Sequence, residues 1–394
     1  MHNNDKLAET IKHAKNSESL GRLNAMIELA KSEKGIPISL IKLDKNQYLY
    51  NCKNGTIDLK TGSLQPHNKY DYITKICNID YNPDAKCDLW LKFLADITCN
   101  NKELVSYLQR IAGYCLTGDI KEQCMFILYG SGANGKTTFI EILKKILCNY
   151  SATVDISIFS AKQSNNDAKY ELARIKGMRL ISTSEPSQDM SLSENLIKAI
   201  TGGDIIPCRK MYGKTFEYPP TFKPFILTNH KPIIKGYDYG IWRRINLIPF
   251  LATIPKENQD KDLPIKLYAE LQGILSWMVR GCLEWQKNGL NTPETVLKST
   301  EEYKEEMDKI ADFINECCEI DTTLKISSSL LHERYCSWCS KNNIFPENIK
   351  IFGNYLENKG FKKKRSNSGR IIFGLTIKKL DYLEYYPKSD GCDV

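Results

Sequence analysis

Apolar residues punctuate an otherwise polar stretch from residue 5 to 33, at Leu20, Leu23, Met26, Ile27 and Leu29, with the spacing of a helix. Short strand-like runs follow. Asn54-Gly55 and Thr61-Gly62 interrupt them, and Asn54-Gly55 reads as a hairpin turn. Helical spacing returns from Leu89 to Leu116, through Trp90, Phe93, Leu94, Ile97, Leu104, Tyr107, Leu108 and Ile111. The middle of the chain changes character. Met125-Phe126-Ile127-Leu128-Tyr129 is a short apolar run that ends in glycines, and a helical pattern follows from Thr137 to Leu147. Two further short runs lie at 179–183 and 224–228. Runs this short without alternation suit strands buried on both faces of a parallel sheet, although periodicity alone does not separate them from helix.

An amphipathic helix spans 263–288, and Asn288-Gly289-Leu290-Asn291 breaks it. Helical patterns resume near 301–319, 328–342 and 348–358. The last element is a basic hairpin, with Lys362-Lys363-Lys364-Arg365, a turn at Ser366-Asn367-Ser368-Gly369, then Arg370-Ile371-Ile372-Phe373. The pattern predicts three domains: an α-rich N-terminal collar over 1–110, an α/β core over 111–290, and a small winged-helix domain over 291–394, since helices followed by a hairpin suggest that fold.

Composition narrows the class. The 394 residues carry a net charge of +8, with 42% hydrophobic and 26% charged residues, ordinary proportions for a globular protein. No stretch approaches the ~20 apolar residues of a membrane helix, and the N-terminus MHNNDKLAET lacks a signal-peptide core; the expected location is the cytoplasm, with no membrane partner. The 14 cysteines are expected as free thiols. Cys336-Ser-Trp-Cys339, near Cys317 and Cys318, has metal-ligand spacing, but it falls in a helical pattern without a second such pair, so buried thiols on a helix face are favoured over zinc.

The strongest local signal is Gly130-Ser131-Gly132-Ala133-Asn134-Gly135-Lys136-Thr137, with Thr138 after it, a full match to GxxxxGK[ST]. Glycines let backbone N–H groups close around phosphate oxygens, and the helix that follows adds its positive end. Lys136 is expected at the β- and γ-phosphates of ATP, and the Thr137 hydroxyl on Mg²⁺. A chance match in a glycine-bearing turn is the alternative, and the flanking strand and helix patterns argue against it.

Other candidates are weaker singly. Glu185 ends the run 180–183 and suits the acid that holds metal or orients water; an exposed acidic turn before Pro186 competes. Asn229 ends the run 224–228, where an amide serves a γ-phosphate or its attacking water, or serves only turn chemistry. Arg243 and Arg244 precede the run 245–250, as a candidate arginine finger or as surface ion-pair partners.

Taken in order, these residues resemble the helicase portion of phage and plasmid primase-helicases, superfamily 3 relatives of the poxvirus primase-helicase. The resemblance runs from Asn54-Gly55-Thr-Ile-Asp-Leu-Lys-Thr-Gly62, with Pro66-His67 and Tyr70-Asp-Tyr72-Ile-Thr74, through Gly113-Tyr-Cys-Leu-Thr-Gly118 to Gly132–Thr138. It continues through Ser184-Glu185-Pro186, Lys198, Thr201-Gly-Gly-Asp204, Thr228-Asn229 and Ile241-Trp-Arg-Arg244 into Tyr303, Asp308, Phe313, Tyr335 and Trp338. It implies an AAA+ fold in a homo-oligomeric ring, usually a hexamer, with ATP between subunits. It assigns Glu185 to the acidic motif, Asn229 to sensor 1, and Arg243 or Arg244 to a finger acting in trans. It also implies a pore hairpin at 204–218, where Arg209, Lys210 and Lys214 would meet DNA phosphates and Tyr212 a base; a solvated hairpin is the plain alternative.

Two departures stand out. Many relatives carry two acids at the acidic motif, whereas Ser184 precedes Glu185 here. Larger members also carry a primase for which this chain has no room, so no primer synthesis is expected, and any primase is expected to be a separate polypeptide or absent, with a separate initiator as a further candidate partner. The expected function is a replicative DNA helicase of a phage, plasmid or similar mobile element, acting on single-stranded and forked DNA. An origin-binding assembly ATPase, with Lys362, Lys363, Lys364 and Arg365 on duplex DNA, is the rival. An AAA+ ATPase working on RNA or in anti-phage defence is a third reading that the fold would permit.

Overall fold

The computed structural model describes residues 2–161, 165–183, 185–186, 190–211, 213–366 and 369–378. The chain opens with two helices, α1 (His2–Ser17) and α2 (Leu20–Ala30), followed by an antiparallel sheet of β1 (Leu49–Cys52), β2 (Gly55–Asp58) and β3 (Ser63–Gln65). The expected hairpin is there, but its two-residue loop is Lys53-Asn54, one residue early, because Cys52 pairs with Gly55. Gly55 sits there with φ 155°, where a Cβ would lie 2.5 Å from the Gln65 carbonyl oxygen on β3.

Two helices follow, α3 (Asp88–Ile97) and α4 (Lys102–Tyr114). The sequence pattern reads them as one. Asn101 separates them, its side chain accepting the Leu104 N–H as the cap of α4.

The core alternates β4 (Met125–Tyr129), α5 (Lys136–Leu147), β5 (Ser151–Val154), α6 (Asn165–Arg174), β6 (Leu180–Thr183), α7 (Glu194–Gly202), a hairpin of β7 (Ile206–Arg209) and β8 (Thr215–Tyr218), β9 (Lys223–Thr228), α8 (Tyr239–Trp242) and β10 (Ile245–Pro249). Five strands form one parallel sheet in the order β10-β4-β9-β6-β5. Both faces are covered, which is why its strands read as unbroken apolar runs. Phe126 and Leu128 point into one core, and Met125 and Ile127, their neighbours on β4, into another.

The first core is shared with the N-terminal strands and with the helices α9 (Leu263–Tyr268) and α10 (Leu271–Asn288). Here α10 crosses α4 backbone to backbone. A Cβ on Gly113 would lie 2.0 Å from the Cys282 nitrogen, and one on Gly281 2.1 Å from the Gln109 oxygen. No side chain fits at that crossing.

Helix α11 (Glu294–Met307) lies along β10, where the Thr300 hydroxyl accepts the Leu247 N–H at 3.0 Å. The chain ends in α12 (Lys309–Cys317), β11 (Cys318–Ser327), α13 (Ser328–Lys341), α14 (Ile349–Asn358), β12 (Lys362–Ser366) and β13 (Gly369–Ile377). The single helix expected at 301–319 is broken at Asp308, whose carboxylate caps α12 through the Ala311 N–H. The pattern also missed β11. Its Ile320, Thr322, Thr323 and Ile326 are β-branched, and β13 supplies the partner that makes them a strand. These last elements enclose a separate core in which Phe313 meets Tyr335 at 5.4 Å and Tyr335 stacks on Phe352 at 4.7 Å. Cys339 is buried there, Cys336 lies beside His332, and the described cysteines are all free.

No helix among the described residues is long and apolar enough to cross a membrane.

Candidate functional site

Every strand of a parallel sheet ends on the same side, so the loops that follow β4, β6 and β9 converge there. The sheet order places β9 between β4 and β6, so Asn229 stands between the glycine loop and Glu185. The loop itself is wound tightly: Gly132, Ala133 and Gly135 all have positive φ, at 101°, 48° and 84°. A Cβ on Gly135 would meet Ile97 at 2.4 Å, so only glycine lets the loop press against α3 at that point. The loop is tied to the end of β10 as well, because Asn134 Nδ2 donates to the Phe250 oxygen and Ile254 N–H to the Ala133 oxygen, both at 3.1 Å.

Lys136 begins α5 and is 6% exposed. Its ammonium donates to the Gly130 carbonyl at 2.6 Å, the Asn134 amide oxygen at 3.1 Å and the Asn229 amide oxygen at 2.9 Å. Burial lowers its pKa from the ordinary lysine value, while the nearby Glu185 carboxylate pulls the other way. Glu185 in turn accepts the Asn229 N–H at 3.0 Å. The three residues chosen from the sequence as lysine, acid and amide are thus linked by hydrogen bonds, the lysine through the Asn229 side-chain oxygen and the acid through the Asn229 backbone N–H.

They border a cavity of about 500 Å³. Gly132 to Thr138 line it, opposite Glu185 and Asn229. Gly130 and Ser131 do not; Gly130 gives its carbonyl to Lys136 instead. The wall also includes Thr153, Ser182, Thr183 and Thr228. Thr228 belongs to the Thr228-Asn229 pair already noted; Thr153, Ser182 and Thr183 carry no motif, and only the strand order brings them there. A loop wound through positive φ angles, a helix start, one buried cation, and an exposed Thr137 that lines the same cavity as the Glu185 carboxylate fit a phosphate chain with its divalent cation. Ser184 lies outside the described residues.

Arg243 and Arg244 are elsewhere. They precede β10, whose start pairs with the start of β4, so they lie at the other end of the sheet, roughly 13 Å along the strands from the loop. Arg244 is half-buried and fixed, donating to the Thr201 hydroxyl at 3.0 Å and to the Gly240 carbonyl. Arg243 is exposed and donates to Gln123 at 2.7 Å.

The β7–β8 hairpin projects at that same end, just before β9 begins. Lys210, Met211 and Lys214 are exposed at its tip, and Arg209 braces it by donating to the Gly213 oxygen at 3.0 Å. Tyr212 lies outside the described residues. Lys362, Lys363, Lys364 and Arg365 form β12, the edge strand of the C-terminal sheet, far along the chain from either cluster.

Two residues escaped the sequence reading. Arg179 directly precedes β6 and Lys223 opens β9, six positions before Glu185 and Asn229 respectively. Both are buried. Arg179 donates to the Leu49 oxygen at 2.7 Å and to the Leu116 oxygen, with its guanidinium 4.4 Å from the Tyr150 ring. Lys223 donates to the Thr117 oxygen at 2.5 Å and to the Asp119 oxygen at 3.3 Å. The two strands that end in the acid and the amide are each anchored at their start to the segment after α4. A cation at the head of an apolar run reads as surface, so the pattern hid them.

Burial pushes Lys223 down to about 8 from 10.5. Between those values the unfolded chain binds the extra proton, so the Lys223 contribution makes stability rise with pH. Compared with Lys223→Met, wild-type stability should gain by about 1 kcal/mol per pH unit in that window. Denaturant melts at pH 7.5, 8.5 and 9.5 read this directly, and a flat or shrinking difference refutes it.

Three family models match parts of the chain. Residues 2–99 match "D5 N terminal like", residues 128–244 match a family of unknown function (DUF5906), and residues 305–386 match "Poxvirus D5 protein-like". A "Putative helicase" of Acanthamoeba polyphaga mimivirus is 32% identical over 348 residues, covering 82% of this chain and 36% of that protein. With its D5 N terminal-like and poxvirus D5 protein-like segments, the chain fits the D5-like primase-helicase family. Other relatives include a "Putative helicase" of Frog virus 3, 26% identical over 60% of this chain and 26% of its own length, and a "Putative primase" of African swine fever virus, 24% identical over 52% and 22%. The chain spans between 22% and 38% of the length of curated relatives such as these. Among solved structures, the NrS-1 C terminal region is similar over 75% of this chain and 78% of that one, at 10% identity and a TM-score of 0.44.

Proposed function

We propose that this D5-like chain is an ATP-driven DNA helicase module of an AAA+ type, working as a homo-oligomeric ring in the replication of a virus or another mobile element. The observation that carries the reading is the linked set Lys136–Asn229–Glu185 at the ends of three adjacent parallel strands. The amide strand between the loop strand and the acid strand supports the AAA+ assignment. The order helix, strand, two helices and hairpin after residue 308 supports a winged helix.

Bound ATP with Mg²⁺ supplies a phosphoanhydride whose hydrolysis releases the energy for movement. Lys136 would neutralise phosphate charge, Thr137 would hold the cation, and Asn229 would orient the water. Glu185 would serve as metal ligand or general base. The Arg243 side, at the far end of the sheet, fits a role in the site of a neighbouring subunit. The basic β7–β8 tip, on that same side, would hold a DNA strand by its phosphates.

A motor must couple turnover to its track. Single-stranded DNA is expected to raise the ATPase rate, and the protein is expected to displace the strand of a forked duplex only with ATP. Turnover indifferent to DNA, together with no displacement, would overturn the helicase reading in favour of an assembly ATPase.

A further inference from the structure

The C-terminal elements enclose a second cleft, unconnected with the glycine loop. Its volume is about 650 Å³, and five of its lining residues are cations, Lys350, Lys363, Lys364, Arg365 and Arg370, against one carboxylate, Glu357. Three parts of the fold build it. On α14, Lys350, Asn354 and Glu357 fall at i, i+4 and i+7, on one face of the helix. On the hairpin, β12 and β13 supply the other four cations, and Ser328 and Ser329 at the start of α13 add two hydroxyls.

The pairing of these strands is informative. Arg365 stands directly opposite Arg370. Like charges across an antiparallel pair are destabilising, and both side chains are exposed at the mouth of the cleft. The sole acid in the lining already faces Lys363, at 3.5 Å. A stable hairpin has no need of this arrangement; an anion laid across it removes the repulsion.

The shape of the lining selects the anion. Among the described residues no aromatic ring lines the cleft, so they offer the bases of a single strand nothing to stack on. A duplex keeps its bases stacked and presents two rows of phosphates. Beside those cations, Asn354 is exposed on α14 and is of a residue type that pairs with base edges in a major groove.

We infer that the α14–hairpin cleft grips the phosphate backbone of duplex DNA, separately from the single strand assigned to the β7–β8 tip. The inference rests on the DNA-helicase reading above, and it places the parental duplex ahead of the fork on the C-terminal unit.

The test is fluorescence anisotropy of the full chain with a labelled 30-base-pair duplex and, separately, with a 30-nucleotide oligo-dT, each over a range of salt. Lys364→Ala/Arg365→Ala/Arg370→Ala removes three cations. Duplex affinity should fall by about tenfold or more, and the slope of log affinity against log salt should flatten by about 2 to 3. Oligo-dT binding should not change. Because the variant also removes the Arg365–Arg370 repulsion, its melting temperature should not drop, which separates lost binding from lost folding. A wild-type chain that ignores duplex, an unchanged duplex slope in the variant, or equal loss on both DNAs would each overturn the inference. The helicase reading fails by a different readout, the absence of DNA-stimulated ATP turnover in the wild type, which leaves the anisotropy comparison intact.

Discussion

Lys136→Ala is expected to lower ATP turnover by about 10³-fold, read as phosphate release at saturating ATP and DNA. The reason lies in what the ammonium touches. It gathers three oxygens, from Gly130, Asn134 and Asn229, and so holds a positive charge at the point where loop and amide strand meet. Alanine removes the charge and leaves the loop backbone in place. The melting temperature should therefore change by only a few degrees while turnover collapses. Lys136→Arg should not rescue it, because a forked, planar guanidinium does not replace a compact ammonium with three donors. Turnover within tenfold of wild type would remove the glycine loop from the proposed mechanism.

Arg243→Ala should lower turnover by a comparable ~10³-fold and yet leave each subunit's own loop intact. The two neighbouring arginines differ in a way that makes this specific. Arg244 is held by Thr201 and Gly240, joining α7 to α8, so Arg244→Ala should chiefly cost stability, about 1–2 kcal/mol. Arg243 has an exposed side chain at the far end of the sheet from its own loop. Acting on phosphate from there requires another subunit. Mixing Arg243→Ala chains with Lys136→Ala chains should then restore part of the activity, since some interfaces pair an intact Lys136 with an intact Arg243. No restoration at any ratio would exclude action in trans.

Much of this was legible in the chain. The loop at 130–137 is local, and its glycines, lysine and following helix are adjacent in sequence. Glu185 and Asn229 were found because each ends an apolar run, and a run buried on both faces of a parallel sheet carries its own signature. Helix breaks were less legible. Asn101 and Asp308 stop helices by side-chain caps that a hydrophobic pattern does not register. The strand β11 was missed because a β-branched segment becomes a strand only with a partner, and its partner β13 lies about fifty residues away.

The sequence by itself determined the phosphate loop, the apolar runs that become β4, β6, β9 and β10, and the residues Glu185 and Asn229 that follow two of them, because these depend on neighbours along the chain. Only the tertiary structure decided that β9 lies between β4 and β6, which links Lys136 to Asn229 and Asn229 to Glu185. Only the tertiary structure put Arg243 at the far end of the sheet and buried Arg179 and Lys223 at the heads of two strands. Strand order, strand register and burial arise from contacts between distant segments, and no local pattern encodes which distant segment a strand will meet.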